Sequence, residues 1–315
     1  CVGGAMMLYI TIDGGTTNTR ICLTDGNEIK DKRAYKVGAR AGMDNRSMLK
    51  ETVKNGIKDI LSDNRLSEND IAQILASGMI TSEFGLCELS HITVPAGISE
   101  LHNSMKNVVL EDISPIPFTF ICGVKTPCTS IDNADMMRGE ETELMGIISE
   151  FAGECVYVLP GSHSKIIKTD KHGRITGFTS MLTGEMAAAL SQNTILKDAV
   201  DFSGSDLNEE YLLSGFDFCR KNGINNTLFK VRILKNIFRE NGDRTYSFFL
   251  GAVLCDEILE ILKHGTEKII IGGNSRLKEA THMLLKHRSN ADTVCITPEK
   301  ADSAASVGMV RIFEY

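Results

Sequence analysis

The stretch LYITIDGGTTNTRICLTDG, residues 8–26, decides how the chain begins to fold. Leu8, Ile10 and Ile12 alternate with Tyr9, Thr11 and Asp13, and the alternation resumes at Ile21 and Leu23, the two-residue period of paired strands. The segment between them is therefore a hairpin turn, not a strand-to-helix junction. TDGNEI, residues 24–29, adds an Asp-Gly turn and a third short strand, so residues 8 to 35 are expected to form a three-stranded antiparallel meander. The first turn is no Walker A motif, because no Lys-Ser/Thr pair follows the glycines, and no dinucleotide fingerprint, because the next element is a strand. What remains is Asp13 at a strand end, Gly14 and Gly15 that let backbone N–H groups turn inward, and the hydroxyls of Thr16, Thr17 and Thr19. A carboxylate beside such a nest is placed to hold Mg²⁺ against substrate phosphates. A plain hairpin capped by its aspartate uses the same residues, and this segment by itself leaves both readings open.

The pattern returns half a chain later. Residues 155–178, CVYVLPGSHSKIIKTDKHGRITGF, run through an apolar strand, a glycine-hydroxyl turn, a second strand, a TDKHG turn and a third strand. Two copies at that spacing point to two domains of related topology facing each other across a cleft, each contributing one glycine-hydroxyl hairpin, and they favour phosphate binding. A further glycine loop differs: in EKIIIGGNSRLKEATHMLLKH, residues 267–287, Gly272 and Gly273 stand between a buried strand and a helix, where bare backbone can lie against a planar ligand. Between these landmarks, SMLKETVKNGIKDILSD (47–63) reads as a helix with Met48, Leu49, Val53, Ile57, Ile60 and Leu61 as its apolar stripe. AQILASGMI (72–80) reads as a buried strand ending in a glycine turn, and TYSFFLGAVLCDEILEIL (245–262) as one amphipathic core helix. SAASVGMVRIFEY (303–315) reads as a helix packing back on the first domain.

Composition narrows the function. The 315 residues are enough for two domains, and 42% hydrophobic and 24% charged residues with six prolines describe a globular chain without low-complexity tails. A net charge of −7 without dense Lys/Arg runs argues against a nucleic-acid surface. No run approaches membrane-spanning length and no signal-like start is visible, so a cytoplasmic protein is expected, with a homodimer left open. The residues before Met6 are set aside. Nine scattered cysteines read as reduced thiols, and Cys122 and Cys128 of CGVKTPC lack the second ligand pair of a structural zinc site.

Two glycine-hydroxyl meanders with a late GGN loop resemble the actin/hexokinase/Hsp70 superfamily of ATP-dependent kinases. Four stretches are similar to one family within it, the 2-dehydro-3-deoxygalactonokinases: ADMMRGEETELMGI (134–147), LPGSHSK (159–165), GRITGFTSMLTGE (173–185) and FKVRILKN (229–236). The family pattern reads Asp-Trp-Gly-Thr at the opening motif, whereas this chain has Asp13-Gly14-Gly15-Thr16 and no tryptophan. The resemblance implies an α/β fold of two ribonuclease H-like domains with mixed sheets flanked by helices. These would be residues 7–148, joined by the terminal helix 302–315, and residues 149–301.

It further implies ATP and Mg²⁺ as cofactors and phosphorylation of the 6-hydroxyl of 2-dehydro-3-deoxy-D-galactonate. A kinase for a related sugar acid and a non-catalytic ATP-binding switch are the alternatives. By position in related sugar kinases, Glu140 is the expected general base, with Asp135 and Glu141 as competitors, and Asp13 the Mg²⁺ ligand. Gly14, Gly15, Thr16, Thr17, Gly161, Ser162 and His163 would hold phosphates, and Gly272, Gly273 and Asn274 the adenosine. Arg138 is the expected partner of the substrate carboxylate because a guanidinium fork suits that group, with Arg20, Lys165 and Glu141 as further substrate contacts. The segment GMITSEFG (78–85) reads equally as a loop reaching the site and as a structural turn.

Overall fold

The opening alternation forms β1 (Leu8–Gly14), β2 (Thr19–Thr24) and β3 (Ile29–Tyr35), an antiparallel meander with Asp13 opposite Arg20 and Thr19 opposite Tyr35. The computed structural model describes residues 7–26, 28–44, 46–151, 153–200 and 206–315. They divide into a first unit of Cys1–Gly153, Thr169–Gly177 and Glu299–Tyr315, and a second of Glu154–Lys168 and Phe178–Pro298.

In the first unit α1 (Ala39–Asp44) and α2 (Arg46–Asp63) follow the meander. Leu49, Val53, Ile57, Ile60 and Leu61 of α2 bury against the sheet, as their spacing of three and four requires. Met48 does not join them: it lies about 100° round the helix from Leu49 and is 48% exposed. β4 (Ile71–Gly78) then adds parallel to β1, with Asp13 opposite Ser77 and Gly14 opposite Gly78. The chain continues through β5 (Ile92–Thr93), α3 (Ile98–Asn103), β6 (Lys106–Leu110), β7 (Ser114–Phe120), β8 (Val124–Lys125) and β9 (Met136–Met137) to α4 (Glu140–Ile147). The main sheet has the order β3-β2-β1-β4-β7-β6, and β5-β8-β9 forms a small sheet of its own.

Next come β10 (Cys155–Leu159), β11 (Ser164–Thr169) and β12 (Ile175–Met181), neighbours in a sheet of order β12-β11-β10-β13-β14, of which the second unit holds all but Thr169 and the first three residues of β12. Its helices are α5 (Thr183–Asn193), α6 (Glu209–Asn222), α7 (Ile224–Asn236), α8 (Gly242–Val253) and α9 (Cys255–Lys263). They are followed by β13 (Lys268–Ile271), α10 (Arg276–Arg288) and β14 (Asp292–Cys295). The single helix expected over 245–262 is two, parted at Leu254. Apolar residues are buried on both sides of the break, so hydrophobic periodicity carries no mark of it.

The last helix, α11 (Pro298–Phe313), belongs to the first unit. A Cβ at Gly308 would lie 1.8 Å from the Thr142 carbonyl oxygen, and one at Gly146 2.0 Å from that of Ala304, so only glycine permits the α4–α11 crossing. Thr11 and Ser306 hydroxyls meet at 2.7 Å, and the Tyr9 hydroxyl donates to Glu314 at 2.8 Å, fixing the same helix to β1. Among the described residues no helix is long and apolar enough to cross a membrane, and the eight cysteines are free thiols.

Candidate active site

Three glycines bring the ends of β1, β4 and the start of α4 together in the first unit. A Cβ on Gly14 would stand 2.6 Å from Ile80 Cβ, one on Gly78 2.6 Å from the Gly14 carbonyl oxygen, and one on Gly139 3.3 Å from Gly78 Cα. Gly78 (φ 86°) and Gly139 (φ 117°) also hold backbone conformations that L side chains rarely adopt. Gly78 thus meets Gly14 and Gly139 backbone on backbone, with Ile80 closing over Gly14, and the approach sets two carboxylates beside each other. Asp13 is the last residue but one of β1, with the Arg20 guanidinium 3.5 Å away. Burial raises the Asp13 pKa first; Arg20 opposes this, and the charge of Glu140 adds to it. Glu140 opens α4, its Oε2 accepting the Arg138 N–H at 3.1 Å.

The two competitors for the base occupy other positions. Glu141 is fully buried, both oxygens accept the Gly139 N–H at 2.8 Å, and burial followed by repulsion from Glu140 pushes its pKa up to about 8. Asp135 precedes β9, its Oδ1 accepting the Met136 N–H at 2.7 Å.

Arg138 is a strut. Its Nη1 donates to the carbonyl and hydroxyl oxygens of Thr81 (2.7 and 2.6 Å), and its Nη2 to the Leu89 carbonyl (2.9 Å) and His91 Nδ1 (3.2 Å). The four N–H groups of the fork are committed, so the expectation that it clamps a substrate carboxylate is corrected. The Thr81 hydroxyl in turn donates to the Gly78 carbonyl at 2.9 Å. GMITSEFG is accordingly a structural turn, closed where a Cβ on Gly85 would fall 2.0 Å from the Ile80 carbonyl oxygen.

The first hairpin exposes Thr16, Thr17 and Asn18, while Gly14 is buried in β1. Within the turn the Gly15 N–H donates to the Asn18 carbonyl at 2.8 Å. The start of α1 docks on it: Ala39 and Arg40 N–H groups donate to the Gly15 and Thr16 carbonyls (3.0 and 2.9 Å), over Gly38, whose Cβ would lie 2.5 Å from the Gly15 oxygen.

The second unit repeats the device. Ser162 and His163 are exposed at the tip, the Glu185 N–H donates to the Ser162 carbonyl at 3.0 Å, and a Cβ on Gly184 would fall 2.2 Å from the Gly161 carbonyl oxygen. His163 Nε2 meets Glu185 Oε2 at 2.8 Å. Beneath the turn the Thr183 hydroxyl donates to Glu257, a fully buried carboxyl whose pKa burial raises. Lys165, expected at the substrate, is buried in β11 with its Nζ 2.5 Å from Ser180 Oγ. The GGN loop adjoins this hairpin because β13 lies parallel to β10, with Val158 opposite Ile271. Gly272 N–H donates to the Val158 carbonyl at 2.8 Å, Gly273 (φ 72°) packs over Pro160, and Asn274 is exposed.

The sequence profile of the 2-keto-3-deoxy-galactonokinase family matches residues 13–312, from the first carboxylate of this site into the last turn of α11. The chain belongs to the 2-keto-3-deoxy-galactonokinase family. It is 28% identical over 194 residues to the 2-dehydro-3-deoxygalactonokinase of Escherichia coli (strain K12), covering 60% of this chain and 58% of that one. To a "probable 2-dehydro-3-deoxygalactonokinase" of Rhizobium meliloti (strain 1021) it is 28% identical over 199 residues, 61% and 59% of the two chains. The matched region thus spans less than three fifths of these curated relatives.

The fold is shared with the crystal structure of a "putative 2-dehydro-3-deoxygalactonokinase" from Sinorhizobium meliloti, at a TM-score of 0.79, 21% identity and coverage of 96% and 95%. An activator of 2-hydroxyisocaproyl-CoA dehydratase from Clostridium difficile, solved with bound ADPNP, shares it more loosely at 0.52, 11% identity and coverage of 98% and 95%. These likenesses bear out the α/β fold with mixed sheets flanked by helices.

Three residues packed beneath the hairpin turns carry little signal in the sequence. Gly38 and Gly184 stand outside the hairpins they press upon, and each carries one signal, a glycine just before or within the first turn of a helix that follows a meander. Glu257 lies 95 residues from Ser162, inside what reads as plain core helix, and no local pattern marks it.

Proposed function

We propose that the chain is an ATP-dependent kinase that phosphorylates the 6-hydroxyl of 2-dehydro-3-deoxy-D-galactonate to the 6-phosphate. Family membership and the activity named for the Escherichia coli relative support the substrate. The observation that carries the reaction is the pairing of Asp13 with Glu140 across three stacked glycines. Phosphoryl transfer asks for little covalent chemistry from the protein and much positioning and charge stabilisation, and two carboxylates locked by backbone contacts meet that need. Glu140 orients the attacking hydroxyl and accepts its proton, and Arg138 holds the start of α4 so that this carboxylate stays in place. The exposed turns at Thr16–Thr17 and Ser162–His163 bind phosphate oxygens, and the GGN loop takes the nucleoside. The bound ADPNP of the Clostridium difficile protein supports a nucleotide for this fold.

Asp13 fits a divalent cation, because burial first and the nearby charge of Glu140 after it disfavour its carboxylate, and a bound cation would offset both. No group of three or more His, Cys, Asp or Glu ligands exists among the described residues, and Mg²⁺ ordinarily takes one or two carboxylates and completes its shell with phosphate and water. Held by Asp13, it would supply positive charge against the phosphoryl group being transferred. The free thiols support a reducing, cytoplasmic setting.

A coupled ADP-release assay over keto-deoxy acids and aldonates tests the reading. 2-Dehydro-3-deoxy-D-galactonate should stimulate release most, and Glu140→Gln should lower kcat by about 10²–10⁴-fold, with Asp13→Asn similarly impaired. Preference for an epimer or an aldonate would move the substrate within the class. No stimulation by any acid would leave the nucleotide-switch reading in its place, and near-full activity in Glu140→Gln would remove the base.

A further inference from the structure

The small sheet β5-β8-β9 gathers three basic residues on one face. Thr93, Lys125 and Met136 stand opposite one another across its strands, while Val124 and Met137 are buried on the other side. By the two-residue alternation, His91 and Arg138, one step beyond β5 and β9, belong to the face of Lys125. The contacts agree. Arg138 Nη2 lies 3.2 Å from His91 Nδ1, and a Cβ on Gly123 would come within 2.7 Å of His91 Cδ2, so the ring rests on bare backbone. Burial first, then the charges of Arg138 and Lys125, push the His91 pKa down to about 4. The ring is therefore neutral, with Nδ1 accepting from Arg138 and its proton on Nε2, a donor.

Of the two cations on this face, Arg138 has its fork committed, and Glu141 and Glu88 are the carboxylates that act on it. Lys125 is half exposed and makes no ion pair or side-chain hydrogen bond among the described residues. An uncompensated ammonium beside an N–H donor, in a chain of net charge −7, is the chemistry of an anion site. β9 leads directly through Arg138 and Gly139 into Glu140.

We propose that the substrate carboxylate docks on Lys125 Nζ with His91 as its neutral donor neighbour, while Arg138 is a positioning residue for both this face and Glu140. The proposal rests on the kinase reading for the identity of the acid. It replaces Arg138 with Lys125 as the residue that distinguishes an acid from a neutral sugar.

The test compares 2-dehydro-3-deoxy-D-galactonate with its uncharged carboxamide in the ADP-release assay, alongside calorimetric titration of the acid into protein without ATP. Lys125→Met should raise KM for the acid about 10- to 100-fold, the range expected for losing a charged hydrogen bond, and leave kcat, KM for ATP and KM for the carboxamide within about twofold. Lys125→Arg should recover most of the acid affinity. The unchanged carboxamide serves as the control for folding. An acid KM within about twofold of the parent value, or equal losses for acid and carboxamide, would overturn the site. A parent that releases no ADP yet binds the acid in a Lys125-dependent way would overturn the function and keep the site. A parent that responds to no acid in either assay would overturn both.

Discussion

Replacing Gly78 by alanine probes the glycine stack most directly. Gly78 has φ 86° and ψ −156°, a region that is essentially glycine-only and costs a side-chain-bearing residue about 1–3 kcal/mol. The added methyl would also sit 2.6 Å from the Gly14 carbonyl oxygen and 3.4 Å from Asp13 Oδ1. Backbone cannot swing aside like a side-chain tip, so overpacking adds about 1–3 kcal/mol, and Gly78→Ala should lose about 2–6 kcal/mol in total.

Gly153→Ala is the control within the same unit. Its φ is 89° but nothing lies within 4 Å of its Cβ position, so it carries only the backbone cost, about 1–2 kcal/mol. The chain has no tryptophan, so urea unfolding is followed by far-UV circular dichroism, and the shared unit makes the two midpoints comparable even without a single transition. Relief of the clash must displace β1 from β4 beside Asp13, and a shift near 1 Å at a reacting group costs about 10²-fold, so kcat should fall by that order in Gly78→Ala and stay unchanged in Gly153→Ala. Equal midpoints for the two variants, with kcat of Gly78→Ala within about threefold of the parent, would refute the claim that backbone contact sets the site.

Two further outcomes follow from buried groups. The Glu141 pKa lies near 8 in the fold against 4.5 in the open chain, so its stabilising proton is fully held below about pH 4.5 and lost as pH rises toward 8. Glu141→Gln should therefore gain on the parent between pH 5 and 8, by at most about 1.4 kcal/mol per pH unit; a melting-temperature difference independent of pH would show that Glu141 is ionised throughout. A methyl at Gly184, in the second unit, has 2.2 Å to the Gly161 carbonyl oxygen, whereas one at Gly177, in β12, meets nothing within 4 Å. Gly184→Ala should raise KM for ATP at least tenfold and Gly177→Ala should not, and equal ATP kinetics in both would remove the docked helix from phosphate binding.

The strands of the meanders were legible because half-buried strands alternate, and the opening hairpin gained meaning from its echo at PGSHSK. The helix over 46–63 was legible for the same reason, one wet face, although Met48 shows that apolar character alone does not assign a residue to the stripe. Where both faces are buried the pattern loses its phase, and the break at Leu254 passed unseen. Charge was the least legible property. Arg138 carries the residue type for a carboxylate clamp, yet its fork serves Thr81, Leu89 and His91, partners 47 to 57 positions away that no local spacing reveals. Lys125, in a two-residue strand too short to show any period, was passed over for the same reason.

Gly14 shows how the chain absorbs its departure from the family's opening motif. The pattern sets a tryptophan where this sequence has glycine, the residue that leaves least to pack. In the structure that space is filled by the turn after β4, with Ile80 Cβ 2.6 Å from where a Gly14 Cβ would be and the Ile80 backbone N 3.1 Å from it. The same turn carries Thr81, which ties Gly78 to Arg138 and so to the start of α4. Glycine at position 14 therefore permits the close approach of β1 and the 79–81 turn, and the glycines at 14, 78 and 139 work as one set. A bulky residue restored at position 14 alone would have to push the Ile80 turn away, and with it the strut that holds Glu140 beside Asp13.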